Sequence, residues 1–274
     1  MIGGGEGAFI GKVHRLAASL DGEIELVCGS FSRDQGNNQR TGALCGLQVD
    51  RVHTDWCSLL EAEQRLPSEQ RMQMLAIATP NHLHVPMAEA ALKAGFHVMS
   101  EKPAGISLEE ARQLADTLAG SDRLYGLSHT YLGYPMVWQA QDMVRNGTLG
   151  ALRKIHVEYP QGWLASRLEE EGQKQASWRT DPARAGASCC MGDIGTHCEN
   201  LAEYVTGLQI ESLCADLSTF ISGRTLDDDG NVLLRFRGGA GLSGGARGVL
   251  YASQISIDEE NALAIRVYGD KGGL

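Results

Sequence analysis

Across its first half the chain alternates short apolar runs with amphipathic helical stretches, and few folds accept that order. Residues 24–29 form one run, closed by Gly29, and residues 72–79 a second, closed by Pro80. Residues 97–100 form a third, followed by Glu101-Lys102-Pro103, and residues 124–127 a fourth. Between them Ile10, Val13, Ala17 and Leu20 recur at helical spacing, as do Met87, Ala91 and Ala94. Ser107 with Glu110 reads as a capping box that opens a helix to about Leu118. Strands alternating with helices of this length pair in parallel and are covered by helices on both faces. An α/β domain is therefore expected over residues 1–127.

The pattern changes beyond that point. A helix over residues 134–145 stops at Asn146-Gly147, a strand follows at 152–159, residues 161–190 read as irregular, and a helix is expected over 193–205. Strand-like segments then come at 210–220, 231–236, 249–257 and 262–268 with no helix between them. Such strands build an open antiparallel or mixed sheet, so an α+β domain is expected over residues 128–274. The glycine-rich stretch 238–245 reads as a hairpin loop.

Composition narrows the function classes. Hydrophobic residues are 43% and charged residues 21%, which excludes disorder and suits a packed core. Asp and Glu number 34 against 24 Lys and Arg, a net charge of -10, which argues against a nucleic-acid partner. No stretch reaches the roughly 18 apolar residues of a spanning helix. The N-terminus lacks the basic-then-apolar order of a signal peptide. Seven cysteines, an odd number with no C-x-x-C pair, fit a reduced, cytoplasmic protein.

Four motifs carry chemistry. Gly3-Gly4-Gly5-Glu6-Gly7-Ala8-Phe9-Ile10 opens the first helix, and Gly3, Gly5 and Ala8 satisfy G-x-G-x-x-A. Such a loop lets backbone N–H groups approach a pyrophosphate at the helix N-terminus. Only Met1 and Ile2 precede it, so the first strand is expected to be cut short. At the tip of the second strand Ser32 and Arg33 stand where a carboxylate commonly bonds the ribose. That tilts the expected cofactor from NAD toward NADP. Thr79-Pro80-Asn81 with His84, and then Glu101-Lys102-Pro103, follow two later strands, at the strand ends that face a ligand crevice. Lys102 is suited to hold a hydroxyl or move a proton. Finally, Gly192-Asp193-Ile194-Gly195-Thr196-His197 opens a helix on which Asp193 and His197, four apart, form an acid/base pair. The neighbouring Cys189, Cys190 and Cys198 fit zinc spacing poorly, so no metal is expected. Trp163, Trp178, Arg179 and His129 are candidates to line a pocket for a polyhydroxylated small molecule.

The order and spacing of these four motifs resemble the Gfo/Idh/MocA family over essentially the whole chain. The resemblance implies an N-terminal Rossmann domain, a C-terminal α/β domain with an open mixed sheet, and association of copies through that sheet into a homo-oligomer. It implies NAD(P)-linked hydride transfer at a hydroxyl-bearing carbon of a sugar, polyol or cyclitol. The family lysine maps to Lys102 and the D-x-x-x-H pair to Asp193 and His197. Family chains run on past Gly269-Asp270-Lys271-Gly272-Gly273-Leu274, so part of the second domain is expected to be missing. An NAD-using glycoside hydrolase of the same fold and a non-catalytic sugar or nucleotide sensor are the alternatives.

Overall fold

The apolar runs of the first half pair side by side, as their alternation with helices requires. The computed structural model describes residues 1–237 and 245–274. They fall into two compact units, Met1–Ser128 and His129–Leu274. The first unit contains, in chain order, β1 (Ile2–Gly3), α1 (Ile10–Ser19), α2 (Gln35–Leu44), α3 (Trp56–Arg65), β2 (Met74–Ala78), α4 (His84–Lys93), β3 (His97–Glu101), α5 (Leu108–Ala119) and β4 (Tyr125–Ser128). The strands lie in the order β1-β2-β3-β4, all parallel. Leu75, Ile77 and Val98 are buried against Leu59 and Leu60 of α3 and Val85, Ala88 and Leu92 of α4. Each Val, Leu or Ile side chain among them contributes about 1.5–3 kcal/mol on removal from water.

Residues 24–29 depart from expectation. They form no strand, and only Gly29, which bridges Val52, and the following Ser30, which bridges Ile2, join the sheet. Ser30 N donates to Met1 O at 2.9 Å and Gly3 N to Ser30 O at 2.9 Å. Upstream, the Arg51 guanidinium takes the Val27 carbonyl at 2.9 Å, and Glu23 and Glu25 lie exposed, so no ladder forms there. Read across, Val52, Gly29–Ser30, β1, β2, β3 and β4 reproduce the 3-2-1-4-5-6 order of a dinucleotide-binding sheet. The α5 cap also differs. Ser107 Oγ accepts from Glu110 N at 3.2 Å, but the Glu110 carboxylate accepts from Ile106 N at 2.8 Å rather than closing a box on Ser107.

The second unit contains α6 (Pro135–Arg145), β5 (Leu152–Pro160), α7 (Lys174–Arg179), α8 (Pro182–Ala185), α9 (Thr196–Thr206), β6 (Gln209–Ser218), β7 (Asp229–Arg237), β8 (Arg247–Ser253) and β9 (Ala264–Gly269). Two short helices, α7 and α8, thus occupy part of the stretch expected to be irregular. Among the described residues the strand order is β6-β7-β8-β5-β9, with β5 parallel to β8 and the other neighbours antiparallel. Along β7 the buried Val232, Leu234 and Phe236 alternate with the exposed Asn231, Leu233 and Arg235, so helices cover one face only. Leu201, Ala202 and Val205 of α9 belong to the core on the covered face, with Ile155 and Val157 of β5. The proposed hairpin loop falls at 238–244, outside the described residues, apart from Gly245. No helix among the described residues is long and apolar enough to cross a membrane.

Candidate active site

The loop between β1 and α1 is shaped by glycine. Gly3, Gly4 and Gly7 adopt φ of 78°, 75° and 78°, a region L side chains rarely enter. A Cβ on Gly3 would stand 2.3 Å from the Ala78 carbonyl oxygen, and one on Gly11 would stand 2.2 Å from Gly4 Cα. The close approach of loop to helix is therefore made by Gly11, in the first turn of α1. Arg15 Nη1 donates to Gly4 O at 2.8 Å. From α2, Asn37 accepts from Glu6 N and donates to Glu6 O, both at 3.0 Å. The exposed Phe9 stands at the N-cap with no side-chain hydrogen bond, and Ile10 begins the helix. The first-turn N–H groups are thus left to an anion, and nothing would crowd a Cβ at Gly7. The cradle fits a dinucleotide pyrophosphate. Nearby, Asp34 caps α2 by accepting from Asn37 N at 2.7 Å, Ser32 Oγ accepts from Asp34 N at 3.1 Å, and Arg33 is exposed.

Two further loops leave the same sheet at the C-terminal ends of β2 and β3. Thr79, Pro80 and the buried Asn81 form the first, and Glu101, the last residue of β3, leads into the second, Lys102 and Pro103. His84, in the first turn of α4, ties them together. Its Nδ1 lies 2.7 Å from the Pro103 carbonyl oxygen and its Nε2 2.9 Å from that of Thr79. Burial holds this imidazole below its ordinary pKa, against the pull of the two carbonyls. His84 is therefore engaged by backbone on both sides. Glu101 is met by His14 of α1, Nε2 to Oε1 at 2.7 Å. His14 was not singled out in the sequence, although it sits four residues after Ile10.

In the second unit the turn Met191–Gly195 is wound as π-helix before α9 begins, so Asp193 lies on a wider turn than a plain α-helical reading gives. Asp193 Oδ2 accepts from Arg179 Nε and from the buried Gln254 Nε2, each at 2.9 Å. The Arg179 guanidinium stands 4.3 Å from the Trp178 ring centroid and 5.9 Å from that of Trp163. Three of the four proposed pocket residues thus gather around Asp193. The fourth, His129, lies edge-on to His197 at 5.7 Å between ring centroids. His197 also meets Tyr131 at 4.8 Å and Tyr159 at 6.1 Å. The two tyrosine hydroxyls bond each other. Tyr159 donates to Asn261 Oδ1 at 3.1 Å, which also accepts from Gln161 at 2.7 Å. Gln161 in turn accepts from the Trp163 indole at 3.0 Å. Burial, then the bond to Tyr131, pushes the Tyr159 hydroxyl far up, so it stays protonated. Tyr131, Tyr159, Gln161, Gln254 and Asn261 went unread in the sequence. Lys102 belongs to the first unit, and Asp193 and His197 to the second.

All seven cysteines are free, and no cluster of metal-ligating side chains occurs among the described residues. Residues 1–129 match the family model for the NAD-binding Rossmann fold of the GFO/IDH/MocA oxidoreductases, and residues 137–274 match the model of their C-terminal domain. The chain belongs to the GFO/IDH/MocA family. It is a nicotinamide-dependent oxidoreductase, and the family's two domain models account for both units. An inositol dehydrogenase homolog from Azotobacter vinelandii, solved with NAD+, is 34% identical with a TM-score of 0.93, covering 100% of this chain and 69% of that one. Levoglucosan dehydrogenase from Pseudarthrobacter phenanthrenivorans is 28% identical over 296 residues, 100% of this chain and 72% of the relative. An uncharacterized oxidoreductase of Bacillus subtilis, YfiI, is 27% identical over 277 residues, 100% of this chain and 68% of the relative.

Proposed function

We propose that this GFO/IDH/MocA oxidoreductase oxidises a hydroxyl-bearing carbon of an uncharged sugar, polyol or cyclitol, or reduces the matching ketone. The observation that carries this reading is the second unit's site, where an imidazole and a carboxylate sit among hydrogen-bonding aromatics. Relatives named for inositol and levoglucosan support it. The Arg179 charge is balanced by Asp193, so that wall offers donors and two indole faces without a net cation. Such a wall suits a polyol better than a phosphate ester or a free carboxylate.

In this reading Gly3, Gly5, Gly7, Ala8, Phe9 and Ile10 hold the dinucleotide pyrophosphate, with Thr79, Pro80, Asn81 and Glu101 beside the rest of it. When bound, nicotinamide supplies the hydride acceptor or donor. His197 takes the proton of the reacting hydroxyl, Lys102 bonds the same oxygen and steadies its developing charge, and Asp193 orients the pair. His84 contributes by holding the two loops in register. NADP binds at least as well as NAD, because Asp34 is committed to its helix cap and Arg33 is exposed beside Ser32. The bare face of the second sheet, where Cys214, Leu233, Val249 and His156 form a cross-strand row, joins two copies.

The test is a screen of sugars, polyols and cyclitols against both nucleotides. Substrate-dependent reduction of NAD or NADP is expected. Nucleotide binding with no turnover of any hydroxyl compound would leave a sensor instead.

A further inference from the structure

We propose that Asp227 is a positioning residue for the acid/base pair, acting through the backbone turn that presents Asp193 and His197; this rests on the dehydrogenase reading above. Three successive N–H groups at the start of that turn end on this one residue. Cys189 N donates to its Oδ1 at 3.0 Å, Cys190 N to its main-chain oxygen at 3.0 Å, and Met191 N to its Oδ2 at 2.8 Å. Gly192 N goes to Ser188 Oγ at 2.8 Å, and Asp193 N closes on Cys189 O at 2.9 Å. Asp227 is 7% exposed and stands 38 residues away in the chain, just before β7. A buried carboxylate at a helix start satisfies donors that otherwise lack partners, and its charge faces the positive end of the helix.

Asp193 lies two residues after Met191, and His197 lies six after it. The pitch of this turn therefore sets how Asp193 meets Arg179 and Gln254, and how His197 meets Tyr131. Misplacement by about 1 Å costs on the order of 10²-fold in rate. The neighbour Asp228 is an internal control. It is 1% exposed, and its carboxylate accepts two backbone N–H groups, Phe220 at 2.8 Å and Ile221 at 2.9 Å, neither in the turn; its main-chain oxygen, which the substitution leaves in place, accepts from Gln254 N at 2.9 Å.

The experiment compares wild type, Asp227→Asn and Asp228→Asn as full chains. Turnover and KM are measured on the best substrate of the screen, nucleotide affinity by fluorescence, the thermal midpoint by calorimetry, and the His197 titration by NMR. Asp227→Asn keeps the side chain's size but turns an amide NH₂ toward an N–H donor. It is expected to lower kcat by roughly 10- to 100-fold, to leave nucleotide affinity unchanged and to move the His197 midpoint. Asp228→Asn is expected to lower the thermal midpoint while its folded fraction keeps wild-type kcat and the His197 midpoint. If Asp227→Asn does not fold, Asp227→Glu, with both oxygens on a longer arm, carries the same comparison. Wild-type kcat in the Asp227 variant, or equal losses in both variants, would overturn the proposal. If wild type turns over nothing in the screen, the dehydrogenase reading falls by itself. The His197 midpoint then decides the positioning claim, and a midpoint unmoved in the Asp227 variant contradicts it.

Discussion

Arg33 is exposed directly after Ser32, where a dinucleotide-binding chain commonly offers a carboxylate to the ribose. A charge-assisted bond to a 2′-phosphate contributes about 1.5–3 kcal/mol, on the order of tenfold or more in affinity. Arg33→Ala is therefore expected to weaken NADP by about tenfold or more and to leave NAD unchanged in a titration of both. An equal effect on the two nucleotides would contradict the assignment. At this scale the sequence offers candidates only where a local motif announces chemistry: the glycine loop, Lys102, and the Asp193–His197 spacing. It could not show their partners. Gln254 reaches Asp193 across 61 residues, and Asn261 reaches Gln161 across 100. Those meetings are set by strand topology, and no local pattern records them. Arg179 was legible as a polar residue beside a tryptophan, but its pairing with Asp193 depends on where α7 comes to rest.

Among the elements, α1 is pinned at its start, because its first turn touches the loop that precedes it. Gly11→Ala would drive a methyl into Gly4, a backbone neighbour that cannot swing aside. Overpacking of this kind costs about 1–3 kcal/mol, and here it also displaces the loop. A lowered thermal midpoint together with a large loss of nucleotide affinity is expected. Lost stability with unchanged affinity would separate the helix from the cradle. A second element-level device joins α4 to α5. Glu89 is pushed up by burial, but Thr117 at 2.9 Å, Gln113 at 3.0 Å and the Lys93 charge together hold its carboxyl below the usual range. Its contribution is complete above the unfolded value of about 4.3 and disappears as pH falls through the lower folded value. Glu89→Gln should cost about 1–2 kcal/mol near neutrality and almost nothing at acid pH, as read by denaturant titration at several pH values. A cost independent of pH would show that the carboxylate charge plays no part. α1, α4, α5, α6 and α9 were legible through apolar stripes or caps, whereas α2 and α3 went unread. The π-wound turn at Met191–Gly195 was not legible, because the bonds that start it come from Asp227, far along the chain.

Over the whole molecule, the α/β class followed from the alternation of strands and helices, and the helix-free run of later strands foretold a second sheet. The order β6-β7-β8-β5-β9 did not follow, because inserting β5 between β8 and β9 is a long-range choice among strands of similar pattern. The bare face of that sheet carries a prediction of its own. Leu233, midway along β7, is 62% exposed on this face, a position that favours contact with a second copy. Leu233→Lys is expected to shift the sedimenting species to monomer, and an unchanged assembly would place the contact elsewhere. The central claim is that the chain oxidises or reduces a polyhydroxylated substrate with a nicotinamide nucleotide. Its most direct test follows nucleotide reduction and ketone formation together, in wild type and in His197→Ala. The expected result is one nucleotide reduced per product formed, with turnover roughly 10²–10⁴-fold lower in the variant and nucleotide affinity intact. Wild-type turnover in His197→Ala, or product formed while the nucleotide is merely retained, would contradict it.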